Sequence, residues 1–174
     1  MKKIITILVV IGMFSLQGCT INDSDTIDND TIAEVFQLNN ASFSYNVNDG
    51  YNIYEELNPI LYDEDVILIY RKIGSISGTN APIWQLIPRT IFLDNGRELD
   101  YDFDFSVEDF TIYARGNYDL SLTPQYLNNQ TFRIVIVPGS KSGSAKYANK
   151  NEFSDYNAVI KKYKIDDSKV KILN

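Results

Sequence analysis

"LDYDFDF", Leu99 to Phe105, alternates strictly between apolar or aromatic residues and aspartate. Successive side chains of a β-strand point to opposite faces. The stretch therefore sends Tyr101, Phe103 and Phe105 toward a core and Asp100, Asp102 and Asp104 toward solvent. "VILIY" (Val66 to Tyr70) and "FRIVIV" (Phe132 to Val137) read differently, being apolar on both faces, and predict central strands.

Between Ala33 and Pro138 short apolar stretches of this kind are broken by Asn, Gly, Pro and Asp. Seven strands are predicted: Ser42 to Val47, Tyr51 to Leu57, Asp65 to Lys72, Ile83 to Leu93 (broken near Pro88), Glu98 to Ser106, Asp109 to Arg115 and Thr131 to Val137. That count in about a hundred residues predicts an all-β fold, an antiparallel β-sandwich whose leading version is immunoglobulin-like. Gly139 to Asn151, "GSKSGSAKYANKN", reads as a loop. One short C-terminal helix follows: Ser154 is the expected N-cap, Phe153 the expected staple onto Ala158, and Tyr156, Val159, Ile160 and Tyr163 recur at helical spacing. Val170 to Leu173 is expected to add an edge strand.

Ahead of this domain, residues 33–174, the chain changes character twice. Lys2 and Lys3 precede thirteen largely apolar residues, Ile4 to Leu16, the charged and apolar regions of a secretory signal over residues 1–18. Thirteen helical residues reach roughly 20 Å, short of a hydrocarbon core of roughly 30 Å, so a membrane span is the poorer reading. Leu16-Gln17-Gly18-Cys19 resembles the lipobox of bacterial lipoproteins, where the chain is cut before a cysteine whose sulfur carries a diacylglycerol; Gln17 departs from the small or aliphatic residue usual there. Cys19 is the only cysteine, and acylation would consume a thiol that is otherwise a liability in an exported chain. Acyl chains such as palmitate bury many methylenes at about 0.8 kcal/mol each, which makes the lipid bilayer the first expected partner.

Residues 19–32 then read as an acidic tether with no aromatic and no basic side chain, too polar to offset its ordering entropy by burial. Its aspartates resemble loosely the surface-export signals of Bacteroidetes-type lipoproteins. Asp25-Thr26-Ile27 and Asp30-Thr31-Ile32 resemble the O-glycosylation motif of the same bacteria, with Thr26 and Thr31 as acceptors.

Charge and composition exclude several functions. After removal of the signal the chain holds 23 acidic and 14 basic side chains, a net charge of −9. Nucleic acid and anionic lipid surfaces are therefore unsuitable partners. Residues 139 to 174 alone are net +4, which a solvated loop and helix face explain. There is no histidine, so Ser-His-Asp and Cys-His catalysis and the common zinc sites are out, and no cofactor is expected. Calcium is the remaining metal, with Asp63 and Asp65 at a turn and Asp100 and Asp102 along one strand as candidate ligands. Same-face neighbours on a strand lie about 6.8 Å apart, which suits solvated carboxylates better than one shared ion. A carboxylate hydrolase would need two carboxylates about 5 to 9 Å apart across a cleft, and no pair stands out. Twelve Tyr, nine Phe and one Trp make a glycan-binding surface conceivable, with Tyr45, Tyr51 and Tyr54 as the expected exposed set and Trp84 as a sandwich-core or corner residue.

The ordered run "DVILIY", "IWQLIP", "FDF" and "QTFRIVIVP" resembles a group of small lipoproteins of Bacteroidetes-type bacteria over about Asp63 to Ile160. Ile87, between Leu86 and Pro88, departs from the group's W-x-x-L-P strand. Many of those relatives carry a collagen-like Gly-x-y stretch behind the cysteine; this chain has none, so no trimeric stalk is carried over. The resemblance implies an outer-membrane or cell-surface address and no activity. A non-catalytic binding or structural module is expected, with an envelope protein or a glycan as its partner; a glycan- or peptide-binding module and a small carboxylate hydrolase are the alternatives.

Overall fold

The computed structural model describes residues 33–139 and 150–173. Cys19, Thr26, Thr31, the signal, the tether and most of the predicted Gly139–Asn151 loop lie outside the described residues. The described chain is an all-β sandwich with one α-helix. One sheet has the order β10-β1-β9-β4-β5 and the other β2-β3-β8-β7-β6. The first contains β1 (Glu34–Ala41), β4 (Val66–Ser75), β5 (Pro82–Leu86), β9 (Gln130–Val137) and β10 (Lys171–Leu173); the second contains β2 (Ser44–Asn46), β3 (Gly50–Glu56), β6 (Arg89–Phe92), β7 (Glu98–Phe105) and β8 (Asp109–Gly116).

The alternation of "LDYDFDF" makes β7 a one-sided strand. Leu99 and Tyr101 are buried between the sheets, and Phe103 is partly buried against the same core. Phe105 corrects the expectation. It is 41% exposed, because β7 turns toward β8 immediately after it and its ring stacks only on Phe103, 6.4 Å away. The inward residues Phe36, Leu38, Ile67, Ile69, Phe132 and Ile134 of the first sheet meet Ile53, Leu99, Tyr101, Phe110 and Ile112 of the second. Each such side chain contributes about 1.5–3 kcal/mol by leaving water.

The two strands that are apolar on both faces owe this to a third layer. β9 and β4 occupy the middle of the first sheet, and its outer face is covered by α1 (Tyr156–Lys162) and the chain after it. Val35, Tyr70, Val135 and Val137 pack there against Tyr156, Val159 and Ile165. Trp84 belongs to this outer layer, 5.6 Å from the Tyr156 ring, and not to the sandwich core or a corner as its sequence context suggests. Arg133, also facing outward, lies over both rings, 4.8 Å from Trp84 and 5.1 Å from Tyr156. Its Nε donates to Gln37 Oε1 (2.9 Å), and its Nη1 donates to Tyr156 Oη and to Asp167 Oδ2, the latter at 3.0 Å. One guanidinium thus fastens the C-terminal segment to the sheet.

The predicted strands from Ser42 to Val137 all occur, and the break at Pro88 sends β5 and β6 into different sheets. Two differences matter. β1 is a strand that the sequence pattern does not single out, and it pairs antiparallel with β9 and parallel with β10. In the immunoglobulin-like arrangement the sheets run A-B-E-D and C-F-G, which sets the first strand beside the second. Here β1 lies between β9 and β10, so the sandwich forms with a different strand order.

The helix begins one residue later than its sequence suggests. Asp155, not Ser154, is the N-cap, and its carboxylate accepts from the backbone N–H of Asn157 and Ala158 at 3.0 and 3.3 Å. Phe153 is then too far before the cap to staple onto Ala158 in the usual N′-to-N4 manner. Its ring packs in the outer layer and its carbonyl accepts from the Tyr70 hydroxyl at 2.6 Å.

Candidate binding groove and outer sheet face

A groove of about 500 Å³ opens where the β2–β3 turn, the end of β8 and the loop after it meet. The turn is shaped by Asn46, whose Oδ1 accepts from the backbone N–H of Asn48 and Asp49 at 2.9 and 2.8 Å, and by Gly50 at φ +74°. This geometry sets Tyr45, 67% exposed, edge-on to the more buried Tyr51 with ring centroids 5.1 Å apart. On the other side Tyr118 is held by a 2.7 Å hydrogen bond between its hydroxyl and Thr123 Oγ1, with the Arg97 guanidinium 5.2 Å from its ring. Asp119 and Arg115 complete the polar lining together with Asp49. Asp119 accepts from the Ser121 backbone N–H at 3.0 Å, and hydrogen bonds from Ser121 hold its carboxyl below the usual range. Aromatic rings, carboxylates and a guanidinium around a concave space suit a hydroxyl-rich ligand that stacks and hydrogen-bonds.

Beside the groove lies the outer face of the second sheet, on which no other described element packs and where the aspartates of "LDYDFDF" stand. Asp100 accepts from Thr90 Oγ1 at 2.5 Å, Asp104 Oδ2 accepts from the Tyr113 hydroxyl at 3.0 Å, and Asp102 lies 3.8 Å from the half-exposed Arg115 guanidinium. Arg115 in turn sits 4.4 Å from the centre of the Tyr113 ring. Tyr54, 54% exposed, donates to Asp109 Oδ2 at 3.3 Å, and desolvation followed by the Asp109 charge raises its phenol above the ordinary tyrosine value.

Of the tyrosines expected to be exposed, Tyr45 is, at the groove, and Tyr54 is, apart on the sheet face; Tyr51 also lines the groove but is half-buried against the core, because it pairs with the inward Ala114. The calcium candidates are not brought together. Asp100 and Asp102 take separate partners, Asp65 accepts from the Tyr62 backbone N–H at 3.2 Å, and Asp63 is exposed in the same loop. Among the described residues no three His, Cys, Asp or Glu side chains converge as a metal site would require. Tyr113, Arg115, Tyr118 and Asp119 are not among the residues the sequence singles out. "FTIYARG" carried a signal for the first two, since Tyr113 and Arg115 alternate with the inward Phe110, Ile112 and Ala114. No family model matches the chain, and no curated protein or solved structure is found to be similar to it.

Proposed function

We propose that this chain is a lipid-anchored envelope or cell-surface lipoprotein, of the kind its Cys19 motif resembles, whose sandwich binds a saccharide in the groove lined by Tyr45, Tyr51 and Tyr118. The carrying observation is that groove and its place in the molecule. The described chain begins at the end of the sandwich where Glu34 pairs with Ile136 and Val66 with Val137. The groove is at the opposite end, near the Phe43, Tyr101 and Phe132 rings that close the core. A ligand site pointing away from the anchored terminus is what a surface-held binding module needs. The reading is of a binding protein: rings, carboxylates and a guanidinium line the groove for stacking and hydrogen bonding, and histidine-based catalysis has no residue to use.

Two measurements test it. Cys19→Ser is expected to move the protein from the membrane to the soluble fraction and to abolish incorporation of labelled palmitate; continued membrane retention would overturn the anchor. Isothermal titration of the full chain with a panel of neutral oligosaccharides is expected to show binding that Tyr45→Ala abolishes. If no sugar binds, or if Tyr45→Ala binds as well as the parent, the groove is not the site.

A further inference from the structure

The groove does not end at its own rim. Arg115 lines it and also lies 4.4 Å from the Tyr113 ring, on the open face of the second sheet. From there Tyr54 is reached along the same face, since Tyr54 is paired with Thr111, four residues back along β8 from Arg115. At about 3.4 Å per residue this path extends the groove by about 14 Å. We infer that the ligand is an uncharged, extended saccharide chain, running from the Tyr45–Tyr118 groove across Arg115 and Tyr113 to Tyr54.

Three features of the path select that class. Beyond the groove's own rings, aromatic surface recurs on the outer face at Tyr113, with the Arg115 guanidinium over it, and at the exposed Tyr54, where a sugar unit can stack. The face presents Asp100, Asp102, Asp104 and Asp109, and each carboxylate keeps acceptor capacity beyond the hydrogen bond or ion pair it already makes, which suits the hydroxyls of a sugar. Arg115 is the cation set among these four carboxylates, and Arg97 stands by Tyr118 at the groove, so an anionic chain such as a polyuronate or sulfated glycan meets repulsion where it crosses the sheet face. A polycation meets the Arg115 guanidinium where the path crosses it, a local repulsion set against the attraction of the carboxylates.

This inference rests on the groove being a saccharide site, and the experiment separates the two. The full chain in detergent is titrated with cello-, malto- and chito-oligosaccharides of increasing length from one to about six units, with polygalacturonate and chitosan as charged comparisons. The expected result is an affinity that climbs at least about tenfold from the disaccharide to the longest chain of one series. Tyr54→Ala is expected to weaken the longest chain about three- to tenfold, in line with the loss of one aromatic contact, and to leave the disaccharide unchanged. Tyr54 is exposed, so an unchanged melting temperature will show that the variant is folded. A disaccharide bound as tightly as the longest chain, or Tyr54→Ala without effect at any length, would overturn the extended path and leave the groove standing. Preference for polygalacturonate or chitosan would overturn the uncharged class. Absence of binding at every length would overturn both readings.

Discussion

Gly139 occupies a place where no other residue fits. A Cβ built there would lie 2.1 Å from the Glu64 carbonyl oxygen, so the end of β9 passes directly against the β3–β4 loop. Gly139→Ala should lower stability by about 1–3 kcal/mol, as overpacking does, with the loss read from chemical denaturation. Lys164 presents the opposite case. It ends α1 with φ +53°, and the Ile165 N–H bonds back to the Ile160 carbonyl at 3.0 Å, the wrap of a Schellman motif. Glycine adopts that left-handed backbone without the penalty of a Cβ. Lys164→Gly should therefore stabilise the protein by about 1 kcal/mol, measured by the same denaturation. Neither position is marked in the sequence: the first constraint comes from a distant loop, and at the second a lysine stands where a helix end usually places glycine.

At the scale of elements, the helix and the C-terminal strand depend on one side chain of β9. Arg133 is almost enclosed by Trp84, Tyr156, Gln37 and Asp167. Arg133→Met keeps some of the packing but leaves the Asp167 carboxylate without its ion pair. The loss should be about 1.5–3 kcal/mol, the usual worth of hydrogen bonds to a charged group. Hydrogen exchange should quicken in α1 and β10 before it does in β7 and β8; uniform acceleration would contradict the fastening role. The same segment shows what the sequence could convey about elements. Period-two alternation identified β7, and apolar character on both faces identified β4 and β9, since both signals are local. β1, "EVFQLNNA", has only a short apolar portion before two asparagines, and its identity rests on partners about a hundred residues away in β9 and still further in β10.

For the whole molecule, three buried tyrosines make stability depend on alkaline pH. Burial pushes Tyr101 up to about 12, an effect the neighbouring Arg71 guanidinium opposes, and burial also drives the Tyr70 and Tyr156 phenols well above the ordinary value of 10. In each case the folded state holds the proton more tightly than the unfolded chain does. Their contribution is complete below about pH 10 and falls as pH rises above it, for Tyr101 until about pH 12. The melting temperature should thus be flat with respect to these groups at neutral pH and drop steeply above about pH 10. Tyr101→Phe should shallow that drop, at the cost of the 2.6 Å hydrogen bond to the Tyr126 carbonyl. The sandwich itself was legible from alternation, and so was the Tyr45–Tyr51 side of the groove, but the other side was not: Tyr118 and Asp119 are placed by a loop whose position is fixed by distant contacts such as the 2.9 Å bond from the Phe43 N–H to the Leu127 carbonyl.

The path of β1 carries a mechanical consequence. The strand runs from the end of the sandwich where the described chain begins toward the end that holds the groove, flanked on one side by β9 and on the other by β10. A pull on the residues before Ala33, resisted by a ligand held at the far end, acts along the strand axis. Ladder hydrogen bonds lie across that axis, so they share the load in shear instead of opening one by one as in peeling. The first strand is in this sense built as the stem through which the domain bears force.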